Sequence, residues 1–314
     1  MNPEAPLRLL LGPQRPVVNF DSALARSGIG DGPIGVISAA WQEAEGDIDG
    51  MQRLVKNPLS DLLLYQKAEE LFVADTRLHE AYRQRQERLK EQQRLYKLRL
   101  RQLMIAARAT LRAEGERAVV AAERRHAISQ LRALDMHHLR QVDKIHARFD
   151  SAFNIGCNAP LAEHTAALAE ALSRFDSLLI TGGNVVVLMN RLRLFGLGSQ
   201  LQRKNIIAWS AGAMVLCDRI VLFHDRMPQG RRDAEIMCRG LGLVPGIVLL
   251  PDARGRLGSR DSLRVSLFDR RFSPATSVTL DNGSYLLFEG ETLQDTEAAR
   301  RMTRNGKFKR VRAA

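Results

Sequence analysis

The chain has 314 residues, 45% hydrophobic and 5% aromatic, so it can bury a sizeable, mainly aliphatic core as one large domain or two ordinary ones. Its formal net charge of +12 predicts an acidic partner. The three cysteines form neither a CxxC pair nor an even-numbered disulfide framework, which favours reduced thiols. The sequence shows no pattern of a secretory signal and no apolar run near the ~18 residues of a membrane span. We therefore expect a cytoplasmic protein without a membrane segment.

The first region, residues 1–56, contains two apolar segments of strand length. Leu7–Leu11 ends at Gly12-Pro13, and residues 35–38 follow a Gly-Asp-Gly-Pro turn. A strand, a helix-length spacer and a second strand predict the start of a parallel α/β sheet. Residues 47–55 are expected to form the next helix.

The second region, residues 57–150, is composed like a long helix pair. It has one glycine, Gly115, no proline after Pro58, and many strong helix formers. An apolar seam at one- and two-turn spacing consists of Leu78, Tyr82, Leu89, Tyr96 and Leu103. Polar residues interrupt this seam at Arg85 and Gln92. With a hinge at residues 113–116, the pattern predicts a coiled-coil-like helical hairpin inserted between the second and third strands of the sheet.

The predicted hairpin is strongly basic. Residues 77–150 carry 18 Lys and Arg against 9 Asp and Glu, and residues 77–112 carry 11 against 3. Such unbalanced helices are typical of surfaces that bind phosphates or acidic proteins. The candidate partner-binding residues are Arg83, Arg94, Lys97 and Arg101. Binding to a protein, binding to nucleic acid, and pairing into a homodimer through the apolar seam all remain open.

The third region, residues 151–293, returns to α/β character. Strands are expected at residues 178–181, 206–209, 220–223 and 247–250. Residues 278–280 and 285–288 flank Asp281-Asn282-Gly283, and the Asn-Gly pair predicts a β-hairpin. The basic tail, residues 294–314, is expected to fray from residue 300 onward.

Ser210 lies between an apolar run and a small-residue turn. Residues 206–209 read Ile-Ile-Ala-Trp, and Ala211-Gly212-Ala213 follow. Small residues are needed where a strand turns sharply into a helix, because the turn is crowded and strained. The pattern predicts a nucleophile elbow with Ser210 at its apex and the N–H of Ala211 directed at an oxyanion.

Four short segments carry a family resemblance. They read ITGGN (residues 180–184), WSAGA (209–213), GLGLVPG (240–246) and LDNGSYLLFEG (280–290). In this order and spacing they resemble the cyanophycinase and dipeptidase E family of serine peptidases, whose fold is similar to class I glutamine amidotransferases. The resemblance implies a three-layer α/β domain with a parallel sheet. The helical hairpin has no counterpart in it.

The resemblance also implies roles for individual residues. Ser210 corresponds to the nucleophile and Asp225 to the family's acidic residue. Gly183 and Ala211 correspond to the donors of the oxyanion site. Asp252 occupies the position of the catalytic histidine.

Asp252 decides how this pattern is interpreted. A carboxylate is a poor base near neutral pH and cannot relay a proton to a leaving amine as an imidazole does. His224 is the only histidine after Ser210, but it adjoins Asp225, and neighbours on an extended segment point to opposite faces. We therefore favour a catalytically degenerate serine-peptidase-like protein that needs no cofactor. The alternative is an active serine hydrolase that cleaves a peptide or isopeptide bond with a rearranged base.

Two further groups have more ordinary interpretations. The second hairpin helix carries Asp135, His137, His138, Asp143 and His146. No three of these reach one face at ligand spacing, so we expect a solvated helix face and no metal site. Cys217, two turns past Ser210, is expected to be a buried apolar residue and not a nucleophile.

Overall fold

The computed structural model describes residues 5–154, 156–223, 233–257 and 261–313. The strands are β1 (Leu7–Leu11), β2 (Ile34–Ile37), β3 (Leu59–Asp61), β4 (Ser177–Ile180), β5 (Asn205–Trp209), β6 (Arg219–Leu222), β7 (Glu235–Arg239), β8 (Ile247–Pro251), β9 (Thr276–Leu280), β10 (Tyr285–Glu289), β11 (Thr292–Glu297), β12 (Arg300–Met302) and β13 (Phe308–Arg310). The helices are α1 (Phe20–Arg26), α2 (Asp49–Gln52), α3 (Leu64–Ala74), α4 (Thr76–Arg112), α5 (Arg117–Ala152), α6 (Ala159–Ser173), α7 (Val185–Leu194), α8 (Gly198–Leu201), α9 (Ala211–Val215), α10 (Ala253–Arg256) and α11 (Ser262–Phe272), with a 3₁₀ helix at Ala39–Ala44. Within these ranges, no helix is both long and apolar enough to cross a bilayer.

A seven-stranded mixed sheet forms the centre, in the order β11-β10-β1-β5-β4-β2-β3. The five neighbouring strands β1, β5, β4, β2 and β3 run parallel, and β10 and β11 add an antiparallel edge. Successive strand residues face opposite sides, so Leu10 packs into one core and Leu9 and Leu11 into another. Helices cover both cores, which confirms the α/β class.

The predicted hairpin around Asn282 is wrong, although the tight turn is present. The N–H of Ser284 donates to the carbonyl of Asp281 at 3.0 Å. However, β9 pairs with β8 and β12, whereas β10 pairs with β1 and β11. The Asn282 side chain donates to the carbonyls of Pro13 and Val17, at 2.6 and 2.7 Å, and so ties the turn to the loop after β1. The turn therefore carries the chain from one sheet to another.

The chain after residue 300 also departs from expectation. Instead of fraying, it forms β12 and β13, which extend β9 and β8 into a four-stranded sheet. The guanidinium of Arg300 lies 5.1 Å from the centre of the Phe308 ring. Backbone pairing and this contact order a segment whose basic composition resembles a tail.

The two long helices α4 and α5 pack side by side, as predicted, and together they are called the hairpin below. It follows the third strand and not the second, because the short β3 pairs with β2 before α3 begins. The Asp75 side chain accepts from the N–H of Leu78 at 2.8 Å and caps α4. A segment containing Gly115 reverses the chain before α5.

A buried ionic network joins the hairpin to the α/β domain. Asp135 on α5 accepts from Arg271 on α11 at 2.6 and 2.7 Å, and from the Tyr96 hydroxyl on α4 at 2.8 Å. Burial would lower the pKa of Arg271, but Tyr96 and Asp135 beside it raise that pKa above its ordinary value. Around the network, hairpin residues share a core with Leu250 and Phe268. The hairpin is therefore fixed to the domain along part of its length.

The expectation of a solvated histidine face is wrong for three residues of that group. Asp135, His138 and His146 are buried, with at most 4% of each residue exposed. His138 stacks on the Tyr96 ring with the centres 4.1 Å apart. In the described ranges, no set of three or more metal-ligating side chains comes together.

Candidate functional site

Ser210 occupies the turn between β5 and α9, which confirms the predicted elbow. Its backbone has φ 48° and ψ −115°, a region that non-glycine residues rarely adopt. Two hydrogen bonds hold this conformation: the Ser210 N–H donates to Leu11 O at 3.1 Å, and the Met214 N–H donates to Ser210 O at 3.1 Å. Strain of this kind costs about 1–3 kcal/mol and clusters at functional sites.

Glycines allow the neighbouring chain segments to approach the elbow. A Cβ on Gly212 would lie 2.2 Å from the carbonyl oxygen of Ile180 at the end of β4. A Cβ on Gly183, whose φ is 136°, would lie 2.6 Å from the carbonyl oxygen of Ala40. Both distances are far below van der Waals contact, so a side chain at either position would push the segments apart.

The candidate oxyanion donors are unoccupied backbone groups. Within the described residues, the N–H groups of Gly183 and Ala211 have no hydrogen-bond acceptor. The adjacent Asn184 N–H is bonded to Ala40 O at 3.0 Å, and the Asn184 side chain caps α7. The loop that carries Gly183 is therefore anchored on one side, while its free N–H remains available to a ligand.

Asp252 lies at the carboxyl end of β8, which packs against α9. It has a left-handed conformation, with φ 56°, and its N–H donates to Leu280 O at 2.9 Å. Its carboxylate accepts from Arg256 Nε at 3.2 Å, and its side chain is 43% exposed. Among the residues that the structure describes, neither Asp252 nor a histidine forms a hydrogen bond with the Ser210 hydroxyl.

The remaining catalytic candidates differ in where they lie and in how deeply they are buried. His224 and Asp225 lie outside the described residues. Cys217 is fully buried, and burial raises the pKa of its thiol to about 12, which agrees with a packing role. His138 and His146 are buried within the hairpin, and His79 stacks on Phe72.

Two other features at this edge of the sheet have no signal in the sequence. The Ser38 hydroxyl, after β2, donates to the Asp61 carboxylate at the end of β3, and burial raises the pKa of Asp61. Gln42, at a kink within the 3₁₀ segment Ala39–Ala44, has φ 59° and ψ −120°, nearly the same strained conformation as Ser210. Backbone strain depends on the surrounding structure, so no local pattern could have revealed Gln42.

The candidate partner-binding residues lie along one flank of α4. At about 100° per residue, Arg83, Arg94, Lys97 and Arg101 fall within a sector of about 60°. Arg83, Arg94 and Arg101 are exposed, while Lys97 is half-buried. Arg94 pairs with Glu91 at 2.6 Å, and Lys97 lies 3.9 Å from Glu235.

A cavity of about 860 Å³ lies at the opposite edge of the sheet. Its lining includes residues at the amino ends of the parallel strands: Leu7 begins β1, Asp176 precedes β4, and Asn205 begins β5. Ligands of open α/β sheets bind outside the carboxyl ends of the strands. The cavity is therefore separate from the edge that carries Ser210.

Comparison with protein-family models matches residues 137–296 to peptidase family S51. The chain belongs to peptidase family S51. The matched segment includes both Ser210 and Asp252 and begins within α5. No curated protein matches the chain. Among solved structures, it is similar to a peptidase from an acI-B1 Actinobacterium, at 12% identity and a TM-score of 0.46, over 97% of this chain and 93% of that one.

Proposed function

We propose that this S51 family member keeps the nucleophile elbow but lacks the base of a serine peptidase, and acts as a binding or assembly protein through its hairpin. The observation that carries the proposal is Asp252. It stands where the family resemblance expects the histidine, and its carboxylate bonds to Arg256. Family membership supports the serine-peptidase-like scaffold.

The chemistry of amide hydrolysis explains why Asp252 matters. The base must take the proton of the serine hydroxyl and then deliver it to the leaving amine. A carboxylate is a weak base near neutral pH, so it holds the serine proton poorly and cannot relay it to the amine as an imidazole does. A general base of this kind contributes about 10²–10⁴-fold to the rate. Its replacement therefore leaves an elbow that can bind a ligand but hydrolyses it poorly.

An active serine hydrolase is the second candidate. It is favoured by the strained backbone of Ser210 and by the free N–H groups of Gly183 and Ala211. These are the groups that would stabilise a tetrahedral oxyanion formed from a peptide or isopeptide bond. In this alternative, a base other than Asp252 activates Ser210.

Labelling with a fluorophosphonate separates the two candidates. We expect weak labelling that Ser210→Ala hardly changes, because the hydroxyl lacks a base. Asp252→His should increase labelling of Ser210 by at least ~10-fold by supplying an imidazole. Asp252→Asn is the matched control, since it removes the charge without adding a base. Strong labelling of the unaltered protein that disappears in Ser210→Ala would establish the hydrolase instead.

A further inference from the structure

The outward face of α4 carries an exposed apolar ridge. Leu95, Leu98 and Ile105 are 44%, 55% and 54% exposed. With the exposed Gln102 and Ala109 they follow a 3-4-3-4 spacing, and these five residues are called the α4 stripe. At about 100° per residue the stripe is centred opposite the buried Leu100. A 3-4 apolar spacing is the pattern by which one helix packs along another.

Apart from Glu91, which lies one turn before Leu95 and pairs with Arg94, the charge beside the stripe is positive. Residues 92–113 contain six Lys and Arg and no Asp or Glu. Arg94 and Arg101 lie on one side of the stripe, and Arg99 lies on the other. Arg99 and Arg101 are exposed and form no ion pair among the residues that the structure describes.

This arrangement selects among occupants. A second copy of the chain would place the unpaired Arg99 and Arg101 against the same arginines, and like charges across a helix pair oppose association. Nucleic acid would satisfy the arginines but leave the aliphatic ridge against phosphates, which are contacted by polar and basic groups. A helix with an apolar ridge flanked by carboxylates satisfies both features.

We infer that the α4 stripe docks an acidic amphipathic helix of a partner protein. Leu95, Leu98 and Ile105 would pack into the partner's apolar ridge, and Arg99 and Arg101 would pair with its flanking carboxylates. The inference deepens the binding role proposed above for the hairpin and does not depend on the reactivity of Ser210.

The test uses the full chain and two synthetic peptides of about three heptads with Leu at the core positions. One peptide carries Glu at the flanking positions and the other carries Lys. We expect the Glu peptide to bind, with an affinity that falls as salt rises, and the Lys peptide not to bind. Leu98→Asp should weaken binding by about 30-fold, the effect of losing a central contact. Arg99→Glu with Arg101→Glu should also weaken it.

Val119→Asp is the matched control, because Val119 on α5 is 56% exposed and lies outside the stripe. Its affinity should equal that of the unaltered protein. Equal binding of both peptides, an equal loss in Val119→Asp, or failure to bind the Glu peptide would overturn the inference. Far-UV circular dichroism of each variant checks that the hairpin is still folded.

Two other outcomes reject the acidic helix as the partner yet keep the hairpin as a binding element. If sedimentation shows a dimer that Leu98→Asp dissociates, the occupant is a second copy. If duplex DNA is retained in a manner that Arg99→Glu with Arg101→Glu abolishes and Leu98→Asp does not, the partner is nucleic acid. If no probe binds and no variant changes the mass, the hairpin's proposed role fails together with the stripe, whatever the labelling of Ser210 shows.

Discussion

Asp135→Ala is expected to destabilise the protein by about 3–5 kcal/mol, the cost of breaking a buried ion pair from one side. Arg271 and Asp135 have side chains only 2% and 5% exposed, so the charge left on Arg271 cannot be rehydrated without opening the structure. Arg271 would keep two acceptors, Ala234 O and the Tyr96 hydroxyl, each at 2.7 Å. These contacts place the expected value near the lower end of the range.

A double-mutant cycle tests the reasoning more sharply. Arg271→Met should also be costly, but Asp135→Ala combined with Arg271→Met leaves no uncompensated charge. The double variant should therefore be more stable than the two single losses predict, by at least ~2 kcal/mol. A cost of Asp135→Ala below ~1 kcal/mol, or additive single losses, would refute the argument.

Urea unfolding provides the measurement. Both tryptophans, Trp41 and Trp209, lie in the α/β domain, so their fluorescence reports that domain, while circular dichroism is weighted towards the long helices. Both signals should change together in the unaltered protein and in every variant, because the free energies of the cycle require two-state unfolding. Equal m-values are required for the free energies to be compared.

Arg85→Met should change the free energy of unfolding by less than ~1 kcal/mol. The buried guanidinium has no hydrogen-bond acceptor among the described residues, and a methionine can replace part of its contact with the Tyr82 and Phe149 rings, whose centres lie 4.6 and 4.2 Å away; a large loss in urea would contradict this. Burial, reinforced by two nearby guanidiniums, lowers the pKa of His146 to about 3. Between pH ~6.5, the ordinary histidine pKa, and pH ~3, this side chain therefore binds a proton only in the unfolded state. Stability should then fall as pH drops from ~6.5 towards ~3, by up to ~1.4 kcal/mol per pH unit, and His146→Leu should flatten that slope when unfolding is repeated across this window. Gly212→Ala should cost at least ~1–3 kcal/mol by forcing a Cβ against Ile180 O, whereas Gly30→Ala, where the added Cβ meets nothing within 4 Å, should be nearly neutral in the same thermal melts.

The elbow could be predicted because its signals are local. An apolar strand, an apex serine and two small residues act within a few positions of one another, and the family resemblance adds order and spacing. The long helices could be predicted for the same reason, since helix formers and the absence of glycine and proline act along the chain. These features do not depend on distant partners.

The wrong predictions concern features whose structure depends on residues that are distant in sequence. Asn282 makes a turn, but whether the flanking strands pair depends on β1 and β8, which compete for them. Asp and His are expected at the surface by residue type, and only Arg271 and Tyr96, far away in sequence, explain the burial of Asp135 and His138. A basic segment has the same composition in a strand and in a tail, so composition could not reveal that Arg300 pairs with Thr279.

The ionic network and the α4 stripe are related by the geometry of one helix. Tyr96 lies on the buried face of α4 and Leu98 on the opposite face, so whatever fixes the first also fixes the second. A docking ridge of several residues gains affinity from being held rigid, because less conformational freedom is lost on binding. Asp135→Ala should therefore weaken binding of the Glu peptide by about 10-fold under conditions where the protein remains folded, even though Asp135 is buried on the side of α4 opposite the stripe. Fluorescence anisotropy at low temperature, where circular dichroism still shows the full helix content, gives the comparison. An unchanged affinity would mean that the network stabilises the fold without positioning the stripe.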